Sequence, residues 1–156
     1  MKFDASKCLP AKITEIKPSG IRKFFDLLGD MKDVVGLTVG QPDFDTPWHI
    51  RNAGIRSLEE GHTYYTSNNG IMEMREEIAK YQKRRFGLEY DPAKEIIVTV
   101  GGSEAIDLAM RALLEPGDEV IIPQPCFVCY EPLARLAGAT PVIIDLSADN
   151  GFRLTA

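Results

Sequence analysis

The chain has 156 residues, 44% of them apolar, which is the length of one ordinary domain with enough apolar content for a core, so it is not a disordered tail. A formal net charge of -5 argues against a nucleic-acid surface, and the one short basic run, KRRF at 83–86, reads as a solvated helix end, where cations are favoured. No apolar span reaches membrane length, the opening MKFDASKCLP lacks a leader's apolar segment, and three cysteines make no disulfide framework, so the expected location is the cytoplasm.

Residues 1–17 carry no strong period and read as an extended arm, with a helical pattern opening near Ser19. A short strand, DVVGLTV, follows at 33–39. In the next loop Thr46 is a good N-cap and Pro47 suits the first helical position, and that helix should end near Gly61. GHTYYTSNNG is a polar loop bearing aromatics, after which Ile71 to Phe86 reads as an amphipathic helix stopped by Gly87. Strands at 95–100, 119–123 and 140–145 then alternate with helices at about 103–114 and 127–137, the alternation of an α/β layer with mainly parallel strands. A sheet ending soon after its third strand has few partners, so the layer reads as incomplete.

The junction EIIVTVGGSEAIDLAMRALL, at 95–114, changes period within a few residues. Ile96 to Val100 is β-branched, whereas Ala105, Leu108, Ala109, Ala112 and Leu113 recur at helical spacing. Gly101 and Gly102 at the break permit a tight turn and close approach of a ligand, and the free amides of the following helix form an anion site. A turn that uses glycine for steric reasons, with Ser103 as an ordinary N-cap, fits these residues equally well. The lysine of a Walker loop and the spacing of a dinucleotide fingerprint are both lacking. Further on, Cys126 and Cys129 in PCFVCY have the C-x-x-C spacing of a thiol redox motif at a helix start; no second cysteine pair or nearby histidine completes a zinc site, since His49 and His62 are distant in sequence.

Four segments, LTVGQPDFDTP, YYTSNNGIMEMREEIA, IIVTVGGSEAIDLA and LLEPGDEVIIPQPCFVCY, stand in the order and spacing of the amino-terminal half of class I/II aminotransferases, and SGIRKFFD resembles the start of the branch with aromatic and aspartate aminotransferases. The resemblance implies a fold type I pyridoxal-phosphate enzyme. Its fold would be α/β, a three-layer α/β/α large domain with a mainly parallel sheet, incomplete in this chain. Residues 1–33 would form the arm and first helix, and 34–156 part of the large cofactor-binding domain, with the carboxy-terminal half absent. It implies pyridoxal 5'-phosphate as cofactor, an amino acid and a 2-oxo acid as substrates, a homodimer, and no nucleic-acid or membrane partner.

By the same resemblance the amides of Gly102, Ser103 and Glu104, with the Ser103 hydroxyl, cradle the cofactor phosphate while the Glu104 carboxylate turns to solvent. Phe127 lies against the cofactor ring, where the residues alone would suggest a core phenylalanine on a helix. Tyr65 reaches across the dimer to the neighbouring phosphate; by itself it would read as a partly buried anchor. The Gly40 backbone lies against the substrate carboxylate, and Ile16 and Ile21 stand near the substrate cleft. The lysine that bonds to the cofactor is absent: the last lysine is Lys94, in DPAKE, where the family motif does not place it. The chain alone is therefore expected to be inactive, with residues 95–100 facing a gap in the sheet. A thiol oxidoreductase and a non-catalytic short form are the alternatives.

Overall fold

The computed structural model describes residues 7–17, 20, 35, 40 and 42–155. The expected strand at 33–39, the helix opening near Ser19 and Ile21 lie outside these, Gly20 and Val35 apart. In chain order the described elements are α1 (Ala11–Thr14), α2 (Trp48–Glu59), α3 (Met72–Phe86), α4 (Gly102–Leu113), β1 (Glu119–Gln124), α5 (Tyr130–Ala137), β2 (Thr140–Asp145) and a closing 3-10 turn, Ala148–Asn150. They fall into two compact units, one drawn from Met1–Asp30 and Val100–Ala156, the other from Met31–Thr99.

In the second unit, Pro47 caps α2 instead of opening it: its backbone is extended, and its carbonyl accepts from Ile50 (3.0 Å) and Arg51 (3.1 Å). The expected boundary therefore moves by one residue. α3 ends as expected, with Gly87 left-handed at φ 71° and its N–H on the Lys83 carbonyl at 3.0 Å. Lys83, Arg84 and Arg85 occupy the last turn, where they offset the helix dipole. Midway along α3, Arg75 is buried, only 5% exposed, and its Nη1 donates to the carbonyls of Pro92 (2.9 Å) and Ala93 (3.3 Å).

The expected strand at 95–100 is not formed. Ile96 is buried, Ile97 exposed and Val98 half-buried, so the side chains alternate as in a strand only as far as Val98. A strand also needs a ladder, and none forms among the described residues. Val98 N–H donates to the Asn69 carbonyl at 3.0 Å, in a loop.

In the first unit, β1 and β2 pair in parallel, with Glu119 opposite Thr140 and Gln124 opposite Asp145. α5 makes the crossover and is the hub of this unit, packing against α1, α4, β1 and β2. Ala134 on α5, Ile122 on β1 and Ala139 before β2 form its buried core. α5 starts at Tyr130, not at 127 as the sequence suggested, because residues 127–130 are taken up by a turn in which Tyr130 N–H meets the Phe127 carbonyl at 3.3 Å. The α/β character and parallel pairing are present, in a sheet of two strands among the described residues.

Candidate functional site

The glycine junction becomes a helix start in which neither glycine carries a side chain that could block it. Gly101 is the N-cap of α4, at φ 84° and ψ 165°, a conformation that only glycine adopts without strain. A Cβ at Gly101 or Gly102 would meet nothing within 4 Å, so the approach to the turn is open. Ser103 is inside the helix and is not its cap, unlike the alternative reading of a plain glycine turn, and α4 has no side-chain cap at all. The first helical hydrogen bond, Ala105 N–H to the Gly101 carbonyl, is long at 3.5 Å. The amides of Gly102, Ser103 and Glu104 precede it and have no acceptor within the helix. The Ser103 hydroxyl also has no hydrogen bond among the described residues.

Glu104 is exposed, and its carboxylate folds back to accept the backbone N–H of Val100. The negative charge is thereby fixed on a donor that lies before the helix. This leaves a cluster of outward donors at the positive end of a helix dipole, suited to a phosphate-sized anion.

Phe127 lies in the loop after β1, not on a helix, and is 52% exposed. That loop leaves the carboxyl end of a parallel strand, the end at which such sheets bind ligands. It begins at a cis Gln124–Pro125 peptide. The Phe127 ring meets that of Tyr130 in a T-shaped contact, with centroids 5.9 Å apart and planes at 85°. Phe127 also lines a recess of about 340 Å³ with Gln124, Pro125, Cys126, Val128 and Glu131. A core phenylalanine would be enclosed; this one keeps surface free to meet a flat ring. On either side of it, Cys126 and Cys129 are free thiols, the first exposed and the second half-buried as the N-cap of α5. Ile16 is half-buried and lines a second hollow, of about 500 Å³, with Val128, Pro132 and Arg135.

Tyr65 and Gly40 belong to the other unit. Tyr65 is fully exposed, so it is not the partly buried anchor its loop alone would suggest. Gly40 is exposed, with open space where a Cβ would sit. Lys94 is exposed and is ion-paired with Asp91 at 3.8 Å. Among the described residues no group of three metal-ligating side chains forms, and no helix is long and apolar enough to cross a membrane. Sequence reasoning missed Arg75, although its spacing with Ile71 and Ile78 put it on an apolar face, and missed the Val100 amide, which leaves no trace in a sequence.

The sequence profile of the aminotransferase class I and II family matches residues 32–156. The chain belongs to that family. Members use pyridoxal phosphate, and the donors at the start of α4 fit the phosphate of such a cofactor. A Bacillus subtilis protein, YugH, whose name carries a provisional aminotransferase assignment, is 56% identical over 144 residues, covering 92% of this chain and 37% of its own length. The aspartate aminotransferase of Pyrococcus abyssi is 46% identical over 139 residues, covering 89% of this chain and 36% of its own. Among solved structures, the Thermus thermophilus aspartate aminotransferase with maleate superimposes with a TM-score of 0.86 at 38% identity, over 94% of this chain and 39% of that one. The chain thus spans somewhat over a third of the length of the relatives it matches.

Proposed function

We propose that the chain is the amino-terminal, phosphate-binding part of an aminotransferase that moves an amino group between an amino acid and a 2-oxo acid. The observation that carries this reading is the start of α4, where Gly101 caps the helix without a side chain and three amides and the Ser103 hydroxyl have no acceptors or partners among the described residues. When bound, pyridoxal phosphate supplies the electron sink for the reaction at the substrate Cα. The amides of Gly102, Ser103 and Glu104, with the Ser103 hydroxyl, would hold its phosphate. Phe127 would lie on the ring face, orienting it and excluding water, which strengthens the polar contacts around it. The Gly40 backbone would stand against the substrate carboxylate.

Tyr65 would donate its hydroxyl to the phosphate bound by the neighbouring copy in a homodimer. Its full exposure supports this, since it has no packing to give up in its own chain. The chain alone would be inactive. Its last lysine, Lys94, sits in an exposed ion-paired turn, and none follows the glycine junction. The protein would work in the cytoplasm.

The test is a chimera in which this chain replaces the matching segment of the Thermus thermophilus aspartate aminotransferase, assayed against a panel of amino donors. Cofactor capture and transamination are expected. A folded chimera that captures no cofactor would overturn the assignment.

A further inference from the structure

We propose that the Glu104 side chain is a positioning residue: by accepting the Val100 N–H it closes the glycine turn from outside the helix and leaves the amides of Gly102 and Ser103 free for an anion. The proposal rests on the phosphate-binding reading above. An ordinary N-cap side chain accepts an amide from the second or third helical residue, which stabilises the helix but uses up a donor. Gly101 has no side chain, and α4 has no such cap. The third helical residue, from which the carboxylate of a capping box reaches back to the N-cap amide, is here Glu104. It reaches one residue further, to Val100.

Two consequences follow from that extra residue. The turn at Gly101 is crossed by a charge-assisted hydrogen bond. The donors of the first helical turn meanwhile stay unused. The carboxylate disfavours an anion by its charge while favouring it by geometry, and these effects separate on substitution. Glutamine keeps the accepting oxygen and removes the charge; alanine removes both.

The experiment uses the whole chain and inorganic phosphate as probe, with amide exchange at Val100 and phosphate-induced amide shifts at Gly102 to Glu104 read by NMR. Glu104→Ala should speed Val100 exchange by about tenfold, the loss of one charge-assisted hydrogen bond, and abolish the shifts. Glu104→Gln should keep most of the Val100 protection and bind phosphate several-fold more tightly than the parent. A merely structural role would weaken both variants together. Unchanged Val100 exchange in Glu104→Ala, or equal loss of binding in the two variants, overturns the positioning role and leaves the phosphate reading intact. A parent chain that shows no shift at Gly102 and Ser103 at any phosphate concentration overturns both.

Discussion

Gly70 and Val98 touch so closely that a Cβ at residue 70 would lie 2.7 Å from both Cβ and Cγ2 of Val98. Gly70 also has φ +90°, and the neighbouring Asn69 carbonyl accepts the Val98 N–H at 3.0 Å. The loop that carries Tyr65 is thus pinned to the segment that leads toward the glycine junction. Gly70→Ala should cost about 2 kcal/mol or more, from positive-φ strain together with overpacking. Adding Val98→Ala, which removes the Cγ2 contact and keeps the Cβ one, should recover only part of the steric cost. Urea unfolding of the single and double variants measures this, and full recovery in the double variant would show that the backbone angle carries no strain.

Arg75 should be intolerant of a shape-matched apolar replacement. Its Nη1 holds two backbone carbonyls, those of Pro92 and Ala93, from a buried side chain, and its Nε has no partner among the described residues. Arg75→Met should destabilise by about 1–3 kcal/mol, the cost of orphaned acceptors, and speed amide exchange over 91–98. Exchange in that segment equal to the parent's would refute the clamp.

Tyr65→Phe should leave the unfolding midpoint of the chain unchanged, because the ring is fully exposed. In an assembled dimeric enzyme it should weaken cofactor binding by roughly 1.5–3 kcal/mol at most, the value of a hydrogen bond to a charged group. In mixed dimers with the change in one subunit, the loss should fall on the partner's cofactor. Loss at the subunit's own cofactor would disprove the cross-interface role.

Lysine trapping tests the expected inactivity of the chain. Mixed with pyridoxal phosphate, reduced with borohydride and mapped by mass spectrometry, the chain should show only scattered, substoichiometric labels at surface lysines such as Lys80 and Lys83. Hydrogen bonds and charge from Glu77 and Glu89 raise these two above the ordinary lysine value of 10.5. Each ion pair is therefore fully formed below the ordinary lysine value and is lost as pH rises through the raised one. Labelling at both should climb with pH and, at a fixed pH, with salt, which screens exposed pairs. Stoichiometric labelling of one lysine with turnover of any amino acid would show that the chemistry is complete in this chain.

Sedimentation should show self-association of the isolated chain. Ile97, Val100 and Ile121 are exposed, and residues 95–98 have strand-like alternation with no ladder among the described residues, a combination that favours pairing between copies. Lys or Glu in place of Ile97 should reduce it. A monodisperse monomer at high concentration would contradict the expectation.

What the sequence determined by itself was governed by short-range rules. Gly87 ended α3 and Gly101 broke the chain before α4 because left-handed or otherwise special backbone is a property of one residue. The β-branched runs at 119–123 and 140–145 paired in parallel because a helix of the right length, α5, lies between them. Four local segments in register were enough to identify the family. The tertiary structure decided whatever needed a distant partner. The run at 95–100 has the composition of a strand and forms no ladder among the described residues. Arg75 is buried because carbonyls 17 and 18 residues away accept its protons. Glu104 turns back because the Val100 amide is within reach once Gly101 bends the chain. Composition and period record what a residue prefers, but a hydrogen bond needs both its ends, and for these residues the second end is set by the folded chain.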